Sequence, residues 1–102
     1  MDKDISTVRH KLGQDEILAQ LGEEAAELAQ AALKMRRAYS TVNPTPVSPG
    51  KAYENLLEEL ADVKVCLMAL GVDTRNMHQR IDDIAEQKMT RWATRLRGES
   101  EC

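Results

Sequence analysis

Residues 15–38 read DEILAQLGEEAAELAQAALKMRRA, and this stretch decides the fold of the chain. Its apolar side chains recur at alternating steps of three and four residues, which places them on one face of a helix. These residues are Leu18, Leu21, Ala25, Leu28, Ala32 and Met35. The spacing therefore predicts a long helix from about residue 15 to residue 38.

A loop and a second helix follow this stretch. All three prolines of the chain lie in the segment 40–50, where fixed φ angles and missing amide donors forbid a continuing helix. Ser48 followed by Pro49 is typical of an N-cap and a first-turn proline. We expect a second helix from there to about Leu70, with Gly71 ending it.

The third helix is expected to begin near Asp73 or Thr74, since either residue can cap it, and to end at Gly98. Residues 5–12 show little periodicity and are followed by Gly13, so we expect at most a short leading helix there. Together these elements predict an all-α fold, an antiparallel bundle of three main helices.

Length, charge and cysteine content narrow the class of protein. A chain of 102 residues suits one domain, placed at residues 1–98, with residues 99–102 as a disordered tail. A net charge of −3 gives no reason to bind a nucleic acid polymer or an anionic membrane. No apolar run approaches the roughly 20 residues of a membrane span, and no signal peptide is recognisable, so we expect a cytoplasmic protein. Cys66 and Cys102 form neither a disulfide framework nor a metal-binding spacing, which predicts reduced thiols.

The second helix carries apolar side chains all the way round. Over residues 60–70 the strongly polar side chains are Asp62 and Lys64 alone. A helix of this kind is normally buried on most sides, and two companion helices in one small chain cannot easily cover it. We therefore expect a second copy of the chain to complete the core, in a homodimer or a tetramer.

Two acidic clusters carry the chemistry that the sequence suggests. Each contains a carboxylate pair three residues apart, so that both members lie on the same side of a helix: Glu24 with Glu27, and Glu59 with Asp62. Four partly buried carboxylates are costly unless they are protonated, paired with cations or bound to metal. Hard oxygen ligands of this kind suit Mg²⁺ or Mn²⁺.

Two alternatives compete with a magnesium site. The acids could form a solvated charged face, because Glu is a good helix former that pairs with nearby cations. Asp62 argues against this, since it is a poor helix former placed among apolar residues in mid-helix. A di-iron bundle needs a His three residues after a Glu, which neither His10 nor His78 provides.

The small side chains that follow the acids on the second helix leave room for a pocket. This pocket is predicted beside the row Asn55, Glu59, Asp62, Cys66 and Ala69.

The segments LGEEAAEL (residues 21–28) and NLLEELADV (residues 55–63) resemble the paired E-E-x-x-E and E-x-x-D signature of the all-α NTP pyrophosphohydrolases, the MazG-like superfamily. The resemblance covers residues 14–97. It implies that the Mg²⁺ ligands, with Mn²⁺ as a possible substitute, are Glu24, Glu27, Glu59 and Asp62. It also implies catalytic roles for Glu23 and Glu24, with Glu23 positioning or deprotonating a water.

The activity implied by this resemblance is hydrolysis of a nucleoside triphosphate between its α and β phosphates, which removes unwanted nucleotides from the cellular pool. Basic side chains at steps of three and four on the third helix are candidates for phosphate contact: Lys88, Arg91 and Arg95. Basic residues near the C-terminus of a helix also stabilise the helix dipole, which is the competing explanation for these three positions. Lys34 and Lys51 are further candidates, whereas Trp92 is expected to pack in a core.

Two other functions stay open. Phosphoribosyl-ATP pyrophosphatase, a relative with a similar first acidic motif, typically carries a Tyr-His pair soon after the second motif. Here residues 63–66 read VKVC, which favours the MazG-like branch. The alternative of another class is a non-catalytic helical dimerisation module, in which the acidic clusters are surface charge that binds another protein.

Overall fold

Three helices make up the fold in a computed structural model that describes residues 2–99. They are α1 (Asp2–Ala38), α2 (Pro49–Leu70) and α3 (Arg75–Leu96). The described part of the chain contains no strand, so the prediction of an all-α helical fold is confirmed. None of these helices combines the length and the apolar character that crossing a bilayer requires.

α1 is broken at Gly13, whose φ of 77° and ψ of 168° lie in a region open essentially to glycine alone. Helix precedes this break from Asp2 onward, a longer leading segment than its weak periodicity predicts. This segment makes a distant contact: the Arg9 guanidinium donates through Nε to the Ala69 carbonyl at 3.0 Å and through Nη2 to the Met68 carbonyl at 2.9 Å. These carbonyls end α2, so the cation both satisfies them and anchors the leading segment.

α1 and α2 belong to one compact unit and pack against each other in antiparallel directions. The buried hydrophobic residues of the described chain all lie on these two helices: Ile17, Ala31, Ala52, Cys66 and Ala69. Four of the five are small, so Ile17 is the one large aliphatic side chain among them. The core that holds the unit together is thin.

The ends of α2 follow the sequence prediction. The Ser48 hydroxyl accepts a hydrogen bond from the Lys51 amide at 3.2 Å, which makes Ser48 the N-cap in front of Pro49. At the other end, Gly71 has a φ of 89° directly after Leu70. This left-handed conformation stops the helix at the predicted residue.

α3 belongs to a second compact unit that begins at Gly71. Thr74 takes the N-cap position, but its hydroxyl donates to the Gly71 carbonyl at 2.7 Å and makes no cap hydrogen bond to α3. At the C-terminus, the amides of Gly98 and Glu99 donate to the carbonyls of Arg95 and Thr94, a Schellman motif. The Glu99 amide is thus hydrogen-bonded to the end of α3. The rest of the predicted tail, residues 100–102, lies outside the described residues.

Much apolar surface stays exposed on α2 and α3. α3 buries none of its residues, and Trp92 is 56% exposed, so the prediction that it packs in a core does not hold within one chain. α2 is likewise not buried on most sides. Its exposed large residues are Tyr53, Leu57, Leu60 and Val65, and those of α3 include Met77, Ile81, Ile84, Met89 and Leu96.

Candidate metal centre

Four carboxylates meet between α1 and α2. Glu24 and Glu27 come from one helix, Glu59 and Asp62 from the other, and each offers an oxygen that lies within 4.8 Å of the other three. The i, i+3 spacing turns both members of each pair towards the same side, and antiparallel packing sets the pairs opposite each other. The structure therefore brings together the four residues that the sequence proposes as metal ligands.

Two oxygens of this carboxylate cluster are poorly satisfied. Glu24 and Glu59 are half-buried, and the Oε2 atom of each is shielded from solvent with no hydrogen-bond partner in the described part of the chain. A buried carboxylate oxygen without a partner costs free energy. A cation between the two helices would remove that cost, so the donor set fits a bound metal ion.

The electrostatics of Glu24 show the repulsion within the carboxylate cluster. The Gln20 side-chain amide donates to Glu24 Oε1 at 2.8 Å, and this hydrogen bond, the strongest single influence, lowers the pKa of Glu24. Burial and the charges of Glu27 and Asp62 act in the opposite direction and together prevail, so the pKa is raised. A divalent cation at this place would reverse the effect of the neighbouring charges.

Cys66 lies beside the carboxylate cluster as a buried free thiol. Burial raises its pKa, and the negative charges of Glu24 and Asp62 raise it further. Its sulfur is not among the ligand atoms that lie within 4.8 Å of one another, so Cys66 stands outside the donor set. The centre is thus left with carboxylate oxygens, which select hard cations such as Mg²⁺ or Mn²⁺ over softer ones.

A cleft of about 350 Å³ opens next to the carboxylate cluster. It is lined by Glu27, Gln30, Ala31, Lys34, Ala52, Asn55 and Glu59. Room was predicted along the row from Asn55 to Ala69, and the cleft lies at the Asn55 end of that row. Gln30 is not among the residues predicted for the site, although its position three residues after Glu27 and four before Lys34 places it on the same helix face as both.

The other candidate residues lie outside the carboxylate cluster. Glu23 is exposed and is not one of the four that meet. On α3, the side chains of Lys88, Arg91 and Arg95 line a single cleft of about 340 Å³ together with Trp92. The predicted basic row therefore exists on α3, while its contact with phosphate stays a prediction.

Chemically, the centre offers clustered anionic oxygens with unsatisfied lone pairs, beside a polar cleft that is open to a ligand. That combination suits a divalent cation and a substrate that itself coordinates the cation, as phosphate chains do. Comparison of the chain with protein-family models, with curated proteins and with solved structures found no match in any of the three.

Proposed function

We propose that this protein is a Mg²⁺-dependent nucleoside triphosphate pyrophosphohydrolase of the MazG-like superfamily, with Mn²⁺ as a possible substitute metal. The observation that carries the proposal is the meeting of Glu24, Glu27, Glu59 and Asp62 within 4.8 Å, with buried, unpartnered oxygens on two of them. The two acidic motifs resemble that superfamily at these same four positions. In this proposal the enzyme works in the cytoplasm on surplus or non-canonical nucleotides.

The chemistry assigned to the site needs no covalent intermediate. One water is added across the anhydride between the α and β phosphates, which gives a nucleoside monophosphate and pyrophosphate. Bound Mg²⁺ would neutralise phosphate oxygens and lower the pKa of the water. Glu23, which is exposed beside Glu24, positions that water and accepts its proton, whereas Glu24 is held in place by the hydrogen bond from Gln20.

Further contacts to the triphosphate are assigned to Lys88, Arg91 and Arg95 on α3. Three cationic side chains along one cleft suit a polyanion, because each can donate charge-assisted hydrogen bonds to phosphate oxygens.

The proposal is tested by pyrophosphate release from a panel of canonical and modified nucleoside triphosphates, with phosphoribosyl-ATP included. We expect release that requires Mg²⁺ and stops when EDTA removes it, because the carboxylates need the cation to approach phosphate. Release from phosphoribosyl-ATP alone would assign the activity of a phosphoribosyl-ATP pyrophosphatase to the chain. No release from any compound by folded protein with metal present would favour the non-catalytic dimerisation module.

Self-association as a homodimer or tetramer is part of the proposal. α2 and α3 each expose several large apolar side chains, and exposed apolar surface marks contact sites between proteins. Multi-angle light scattering should therefore give a mass at least twice the 11.4 kDa of one chain. A mass of one chain at assay concentrations would remove self-association from the proposal.

A further inference from the structure

We propose that the cleft beside the carboxylate cluster binds the terminal phosphates of the substrate, with Lys34 as the cation that contacts them. This inference rests on the proposed function and deepens it. It assigns the part of the substrate that becomes pyrophosphate to a defined place between α1 and α2, and it names the residues that select a triphosphate chain.

The shape of the cleft follows from helical spacing. Along α1, the lining residues Glu27, Gln30 and Lys34 recur at steps of three and four, so they share one face. Glu27 and Lys34 are seven residues apart, a rise of about 10 Å at roughly 1.5 Å per residue. On α2, Glu59 and Asn55 form the facing row. The cleft therefore leads from the carboxylate cluster towards the end of α1 that precedes the 39–48 loop.

The lining is polar and lacks aromatic side chains. Its floor is formed by Ala31 and Ala52, which are 7% and 1% exposed, and such small side chains leave the space above them free. The remaining groups beyond the acids are the amides of Gln30 and Asn55 and the ammonium of Lys34. These groups can all donate to phosphate oxygens, whereas nothing in the lining could stack on a base.

Several hydrogen-bond donors that line the cleft have no partner within the described chain. Among residues 2–99, the side chains of Gln30, Lys34 and Asn55 make no hydrogen bond or ion pair. Acids at one end and the unpaired ammonium of Lys34 at the other match a phosphate chain whose inner part coordinates a metal and whose outer part carries free negative charge.

The test compares the Lys34→Gln variant with the wild-type protein in two measurements. The first is the KM for the best nucleoside triphosphate, and the second is binding of inorganic pyrophosphate in the presence of Mg²⁺ by isothermal titration calorimetry. We expect KM to rise about tenfold and pyrophosphate affinity to fall by a similar factor, because a charge-assisted contact is lost. The value of kcat should change much less, since a contact made equally to the bound substrate and to the transition state contributes to binding and not to the chemical step. Lys64→Gln, which removes an exposed lysine of α2 outside the cleft, should leave both quantities unchanged.

The outcomes separate this inference from the function on which it rests. Wild-type hydrolysis with unchanged KM and pyrophosphate affinity in Lys34→Gln would overturn the inference and leave the proposed function standing. Mg²⁺-dependent pyrophosphate binding that Lys34→Gln abolishes, without hydrolysis of any triphosphate, would support the cleft and overturn the proposed reaction. Absence of both hydrolysis and pyrophosphate binding in the wild-type protein would overturn both.

Discussion

Replacing Glu59 with Gln should lower the rate of Mg²⁺-dependent pyrophosphate release at least about a hundredfold while the helices stay folded. Mutation of residues that only support a metal ligand commonly costs 10–100-fold in affinity or activity, so loss of a ligand should cost no less. Glu59 is half-buried, and its unpartnered Oε2 makes it a strong candidate for direct coordination. The measurement is the rate at saturating Mg²⁺, with circular dichroism to establish that helix content is retained.

The same variant should separate a functional role from a structural one. In the protein without metal the four carboxylates repel one another, because each has an oxygen within 4.8 Å of the other three. Removing one charge relieves that repulsion, so Glu59→Gln should unfold at the same temperature as the wild-type protein or higher. Added Mn²⁺ should raise the melting temperature of the wild-type protein and leave that of the variant unchanged.

Glu58→Gln is the matched control for Glu59→Gln. Glu58 precedes Glu59 in the same acidic motif, yet it is exposed and lies outside the carboxylate cluster. It should retain both activity and stabilisation by metal. If Glu59→Gln behaves like Glu58→Gln in both measurements, the carboxylate cluster is surface charge and the metal centre is wrongly assigned.

The sequence predicts those parts of this structure that depend on local rules. The step of three and four residues places the long helix, Ser48 and Pro49 begin α2, and the glycines at 71 and 98 end the helices because few other residues adopt positive φ. Each carboxylate pair is predictable for the same reason, because an i, i+3 spacing is local. The register that brings the two pairs together is a contact between helices, and local rules do not set it.

Features that depend on distant contacts could not be predicted in this way. In the helix before Gly13, Arg9 donates a hydrogen bond to the carbonyl of Ala69, which lies sixty residues further along the chain. No local sequence pattern predicts that contact. The Thr74 hydroxyl can either accept a hydrogen bond from an amide in the first turn of α3 or donate one to a nearby carbonyl. It donates to the Gly71 carbonyl and does not cap α3. The exposure of Trp92 follows from the absence of covering side chains, which helical periodicity does not reveal.

Ile17→Ala should lower the free energy of unfolding by about 2–5 kcal/mol, the usual cost of truncating a buried aliphatic side chain to Ala. Ile17 is 4% exposed and is the largest side chain in a core otherwise made of alanines and Cys66. Since small domains are stable by only about 5–15 kcal/mol, this one substitution would remove a large share of the stability. Urea unfolding followed by circular dichroism measures the loss, because the fluorescence of Trp92 reports on α3 and not on the unit that contains Ile17.

Leu18→Ala is the control for Ile17→Ala, since Leu18 is the next residue of α1 and is 48% exposed in the single chain. The loss at Ile17 comes from packing within the chain and should not depend on protein concentration. Any loss at Leu18 that grows as the protein is diluted would instead report a contact between copies, because dilution dissociates an oligomer and leaves intrachain packing intact. Equal, concentration-independent losses at both positions would contradict the burial of Ile17.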